Sequence, residues 1–189
     1  MPNQTPSQTV GPFFGPALIA DGLEMPARDG ARGRRIIISG RVLDGDGEPV
    51  PDAMIEIWQA NADGRYDHPA DTQEKRIDPC FHGFGRAGTA ADGAFRFVTI
   101  KPGAAIGDGA IEHAPHINVS VFARGLLNRL VTRIYFPDQP LNDSDPVLAR
   151  VPAVRRATLI AQAIAESRGV EYRFDIILQG AGETVFFDI

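Results

Sequence analysis

The sequence predicts a mainly all-β fold, a β-sandwich of Greek-key type or a barrel, and three observations predict it. Seven short segments are rich in β-branched and aromatic residues. Asp-Gly and Pro-Gly turns punctuate them. Residues 115–121 also alternate between apolar and polar side chains, the period of a strand with one face on a core. In chain order, residues 1–33 are rich in Gly and Pro and read as an extended N-terminal arm and linker with at most a short helical turn. Residues 34–189 read as a single β-sandwich domain. Its expected strands are RRIIISGRVL (34–43), AMIEIWQA (53–60), GAFRFVTI (93–100), PHINVSVFAR (115–124), LVTRIYF (130–136), YRFDIILQG (172–180) and ETVFFDI (183–189). DGDGEPVPD (44–52), ADG at 62–64 and 91–93, and KPG (101–103) are the turns between them. ATLIAQAIAESRG (157–169) breaks the pattern: Leu159, Ile160, Ala163 and Ile164 share a helical face and Gly169 can end a helix. It reads as one late amphipathic helix packed on an otherwise antiparallel sheet, ahead of two closing strands.

At 189 residues, 43% hydrophobic and 23% charged, the chain can bury a sizeable core. A net charge of −5 argues against nucleic acid, whose phosphates need clustered Lys and Arg. No apolar run is long enough to span a bilayer, and MPNQTPSQTV has neither the basic start nor the apolar stretch of a secretory signal. Cys80 is the only cysteine, so no intrachain disulfide can form and a reducing cytoplasm is expected.

Candidate chemistry centres on residues 112–125, EHAPHINVSVFARG. Strand alternation puts Ile117, Val119, Val121 and Ala123 on the core side and His116, Asn118, Ser120, Phe122 and Arg124 on the other. Alternation alone favours a solvated sheet face for the second row; a cleft or an interface is the sharper alternative. His116 and Asn118 fall one residue short of a metal-binding His-x-His pair. His113 and His116 are an odd number of residues apart and should point to opposite sides of a strand, while His68 and His82 are in loops. Cys80 lies two residues from His82 and could be a thiolate nucleophile, but inert packing is the commoner role. Trp58 reads as core or an edge contact, and Arg86 and Asp92 as turn and surface residues. Arg124 is either half of a surface salt bridge or a planar, bidentate carboxylate receptor. In the arm TPSQTVGPFFG (5–15), Phe13 and Phe14 need covering, by this chain or by a partner.

The pieces SGRVLDGDGEPVPDAMIEIWQANADGRY (39–66), FGRAGTAADGAFRF (84–97), TIKPG (99–103), APHINVSVFARG (114–125), TRIYF (132–136) and QGAGETVFFDI (179–189) resemble the intradiol ring-cleavage dioxygenases. The resemblance covers most of the chain beyond the linker near residues 16–33. The arm and the closing EYRFDI…GAGETVFFD are similar to the alpha subunits of two-chain members. This implies a Greek-key sandwich. It also implies that Fe(III) is bound by a partner beta subunit, where two Tyr and two His hold it. At the matching positions this chain keeps His116 but carries Asn118, Ala105 and Gln73, so it is expected to bind no metal itself. Tyr66 and Tyr135 match positions shared across the family and replace no ligand, and His113 falls near an arginine of the beta pattern. No catalytic residue is expected here. Thr9, Gly11, Pro12, Phe13 and Arg124 fall at the positions from which alpha subunits reach the partner's substrate pocket, Phe13 where such arms often carry Tyr. Arg124 would pair with the carboxylate of protocatechuate, a catechol acid cleaved with O₂, in alpha–beta pairs of a larger oligomer. A stand-alone β-sandwich binding module and a self-sufficient catechol or hydroxyquinol dioxygenase are the alternative readings.

Overall fold

The structure, a computed structural model, describes residues 17–107, 111–166 and 169–188. Its strands in chain order are β1 (Arg35–Leu43), β2 (Met54–Gln59), β3 (Phe84–Gly88), β4 (Ala94–Ile100), β5 (Ala105–Ile106), β6 (Glu112–His113), β7 (His116–Phe122), β8 (Leu130–Tyr135), β9 (Gln162–Glu166), β10 (Gly169–Arg173) and β11 (Ile176–Ile177). Strand β1 is the spine of a five-stranded sheet. Antiparallel β4 lies on one side of it, and β10 and then β11 run parallel along the other. Strand β9 extends this sheet beyond β10. The second sheet is antiparallel, in the order β3-β2-β7-β8. Strands β5 and β6 make a separate two-stranded ribbon. The chain thus crosses from the second sheet to the first at β3–β4, returns at β7, and leaves again at β9.

Alternation dictates how the two layers meet. Ile36, Ile38, Val42, Phe95, Phe97, Tyr172 and Ile176 from the first sheet pack against Ile55, Ile57, Ile117, Val119, Val121 and Ile134 from the second. The stripe read from residues 117–121 is therefore core, with Ile117 and Val121 both fully buried. Gly40 sits where β10 gives way to β11. A Cβ there would run into the Phe174 carbonyl, so the spine strand needs a glycine at that crossing.

Several elements differ from the sequence reading, among them the unexpected ribbon β5–β6 and the division of 172–180 between β10 and β11. The late helix is absent: residues 153–159 form a 3₁₀ helix, and Gln162–Glu166 folds as a strand on Gly169–Arg173. Ala, Gln and Glu favour helix, but β10 is hydrogen-bonded along β1 and β9 to β10, and these ladders override local propensity. The first sheet is consequently mixed rather than purely antiparallel. Strand β3 was unexpected because FGRAG has two glycines and no β-branched residue; it forms because β2 offers it a complete ladder. The closing segment 183–188 makes isolated bonds instead of a ladder: Phe187 N donates to Val131 O (2.8 Å) and Thr132 Oγ1 to Val185 O (2.7 Å). It covers the free edge of β8 without extending the sheet. From Leu18 onward the N-terminal region is packed on the body: Leu23 O and Glu24 O accept from Arg86 N and Val98 N, and Ala27 is buried against Phe81. No helix among the described residues is long and apolar enough to cross a membrane.

Candidate functional site

Register builds the site. Asn118 in the middle of β7 lies opposite Trp58 of β2 on one side and Arg133 of β8 on the other. His116 lies opposite Tyr135. The outward row of β7 is thus not a bare solvated face, since His116 is only 5% exposed. Its buried polar atoms must find partners, and they find them in one another.

The hydrogen bonds run in a single direction. His116 Nδ1 is 2.7 Å from the Ala114 carbonyl, which can only accept, so Nδ1 carries the proton. His116 Nε2 then accepts from the Tyr66 hydroxyl, 3.4 Å away. Asn118 Nδ2 donates to Tyr66 Oη (3.4 Å) and to the Trp58 carbonyl (3.3 Å). Asn118 Oδ1 accepts from Arg133 Nε at 3.0 Å. Arg133 Nη1 reaches Tyr135 Oη at 3.5 Å, and that hydroxyl donates to Asp145 Oδ1 at 3.0 Å. Asp145 is fully buried and also accepts from the backbone N–H of Ala114, Val147 and Leu148. One positive and one negative charge are joined through Tyr135.

These surroundings set the protonation states. Burial, reinforced by the Arg133 charge, pushes His116 down to about 4. Burial raises Tyr66 and Tyr135 above the ordinary phenol range, so both keep their protons. Burial opposes the Asp145 charge, but the bonds from Leu148, Tyr135 and Ala114 outweigh it and hold its carboxyl below the usual range. A stability prediction follows from His116. Its folded value lies below the unfolded one of about 6.5, so the unfolded chain takes up the proton first. Stability should fall as pH drops from about 6.5 to about 4, by on the order of 3 kcal/mol. Urea midpoints of the wild type and His116→Gln across that window check this; equal slopes would remove His116 as the cause.

A cavity of about 410 Å³ opens beside this network, lined by Trp58, Tyr66, Asp71, Gln73 and Ile106 among others. Trp58 stacks on Tyr66 with ring centroids 5.7 Å apart, so it is a wall of the cavity rather than core. Gly64 has φ +81°, and a Cβ there would strike the Ala104 carbonyl; this glycine lets the Tyr66 loop close on the β5 strand. Ala105 is buried and pairs with His113 across the ribbon, while Gln73 Nε2 donates to Asp71 Oδ2 (3.0 Å). The structure thus gathers His116, Asn118 and Gln73 around Tyr66. His113 and His116 do not point apart as expected. Their rings lie 6.0 Å from each other because Ala114-Pro115 interrupts the strand between them.

The remaining candidates lie elsewhere. Cys80 N donates to Asp78 Oδ1 (3.0 Å), and His82 pairs with Asp67 (3.0 Å). Arg86 is not a surface residue of a turn. It lies on β3 with Nε 2.8 Å from Glu56 Oε1 and Nη1 2.9 Å from the Leu18 carbonyl, most of its side chain covered. Arg124 is beyond the end of β7, its side chain 74% exposed, with Nε 2.8 Å from Asp52 Oδ2. Thr9, Gly11, Pro12 and Phe13 lie outside the described residues. Sequence reading singled out neither Arg133 nor Asp145. Neither gave a usable signal: Arg133 meets Asn118 only through the pairing of β8 with β7, and Asp145 lies in a loop.

Against known families, residues 10–180 match the family described as Dioxygenase. The chain is 45% identical over 199 aligned residues to the protocatechuate 3,4-dioxygenase alpha chain of Burkholderia cepacia, covering 98% of both chains. The chain belongs to the intradiol ring-cleavage dioxygenase family. A beta chain from the same organism is 43% identical, over 80% of this chain and 67% of its own length. Among solved structures, the dioxygenase domain of a carbohydrate-binding fusion from Streptomyces sp. SirexAA-E superposes with a TM-score of 0.64 at 28% identity, covering 95% of this chain and all of that one.

Intradiol dioxygenases typically use iron, and this chain's residues do not fit it. A tightly held metal needs three or four strong donors directed at one point. Here the basic lone pair of His116 is taken by the Tyr66 hydroxyl, and the Asn118 oxygen by a guanidinium. The Tyr66 and Tyr135 hydroxyls are engaged with His116 and Asp145, and Ala105 has no donor atom in its side chain. Among the described residues, no three His, Cys, Asp or Glu side chains cluster as a metal site.

Proposed function

We propose that this intradiol dioxygenase chain is the alpha subunit of a protocatechuate 3,4-dioxygenase. Paired with an Fe(III)-carrying beta subunit, it takes part in cleaving protocatechuate with O₂ to 3-carboxy-cis,cis-muconate, within the beta-ketoadipate route of aromatic catabolism in the cytoplasm. The observation that carries this reading is the match to an alpha chain over nearly the full length of both proteins. The course of β7 supports it. His116 opens the strand and Phe122 closes it roughly 20 Å away at ~3.3 Å per residue, with Arg124 two residues further on. Arg124 therefore cannot serve the cavity beside His116 and is free for a substrate held by another polypeptide. In this reading Arg124 receives the substrate carboxylate, and Thr9, Gly11, Pro12 and Phe13 of the arm help wall the partner's pocket. The chain's own work is binding, orientation and exclusion of water; the redox chemistry belongs to the partner's iron.

Co-expression with a beta-type chain, followed by omission of each chain in turn, tests this. Iron and protocatechuate turnover are expected only when the beta chain is present, with full turnover requiring both. Iron-dependent turnover of any catechol by this chain alone would favour the self-sufficient alternative instead.

A further inference from the structure

The polar row of β7 faces a cation on the neighbouring strand β8, which is a different matter from lacking donors. We propose that Arg133 is a resident cation. Its guanidinium takes the place of a metal charge among Asn118, Tyr135, Tyr66 and His116, and it keeps metal ions out even when a second histidine is supplied.

Three observations carry this. The first is placement: Arg133 lies directly across from Asn118, with Nε 3.0 Å from Asn118 Oδ1 and Nη1 3.5 Å from Tyr135 Oη. The second is direction. Starting at Arg133, donors point outward through Asn118 and Tyr66 to His116 Nε2, so lone pairs that a metal would draw on face an N–H or an O–H. The third is charge. A guanidinium does not give up its proton to make room, and it is held in place by Asn118 and by Tyr135, whose hydroxyl is itself anchored on buried Asp145. A second cation at this point would face repulsion and would have to unmake the network. Scarcity of donors predicts that adding one raises metal affinity; a resident cation predicts that it does not.

The full-length chain carrying Asn118→His, which creates a His-x-His pair with His116, separates the two. Cobalt(II) binding is followed by visible absorption and by titration calorimetry, with circular dichroism as the folding control. Asn118→His alone is expected to bind no tighter than the wild type. Asn118→His with Arg133→Gln is expected to bind at least about tenfold tighter, the usual scale of a neighbour's effect on a metal site. Asn118→His with Arg133→Lys, which keeps a cation, should stay near the wild-type level. The proposal is overturned if Asn118→His alone binds as tightly as the Arg133→Gln double variant, or if that double variant gains nothing. If Arg133→Gln does not fold, Asn118→His alone still decides: a gain of about tenfold over wild type overturns the idea, and no gain supports it. Where the chain is obtained only with its partner, cobalt is counted separately from iron.

Discussion

Replacing Arg124 with alanine in the paired enzyme is expected to raise KM for protocatechuate sharply while changing kcat little. A charge-assisted, two-point contact with a carboxylate contributes about 2–4 kcal/mol, which corresponds to roughly 30- to 1000-fold in kcat/KM. The present partner of Arg124 does not prevent this. Its ion pair with Asp52 is exposed on both sides, at 74% and 44%, and exposed pairs of this kind contribute little. Plain catechol, which has no carboxylate, should lose little on the same substitution, so the ratio of the two kcat/KM values is the decisive readout. Arg124→Lys should recover only part of the loss, because an ammonium cannot offer two parallel N–H groups. An unchanged protocatechuate KM in the alanine variant would end the assignment.

Asp145→Ala is expected to be the most destabilising single change near the cavity. Its carboxylate accepts from the N–H of Ala114, Val147 and Leu148 and from the Tyr135 hydroxyl, and none of it reaches solvent. Truncation leaves those donors unpaired in the interior and removes the carboxylate 3.4 Å from the His113 ring, a loss of about 3–5 kcal/mol. That is a large share of the typical stability of a domain, about 5–15 kcal/mol. Urea unfolding of Asp145→Ala and Asp145→Asn provides the measurement. Asparagine keeps an acceptor and should cost less. A loss below about 1 kcal/mol for alanine would mean that the cluster relaxes onto water.

How much of this was legible in the sequence depended on how local each signal was. Alternation in 35–43 and 117–121 marked core strands because two-residue periodicity is carried by the chain itself. The 157–169 segment was misread because Leu159, Ile160, Ala163 and Ile164 also fit a helical spacing. Only β1, more than a hundred residues upstream, makes the region a hairpin alongside it. Trp58 read only as core or an edge contact, because its stacking on Tyr66 depends on how a loop returns. His113 and His116 looked opposed because strand parity was carried through Pro115, where the strand breaks. The resemblance singled out Asn118, Ala105 and Gln73 as positions to compare with the family's ligands. What surrounds Asn118 was not readable, because Arg133 and Asp145 meet the row only through pairing and burial.

Strand β7 holds two unlike environments at opposite ends, one sealed and one open to solvent. Sites that far apart, with no shared contacts, respond to substitution independently. Repacking around His116 should therefore leave recognition at Arg124 untouched, and the converse should hold.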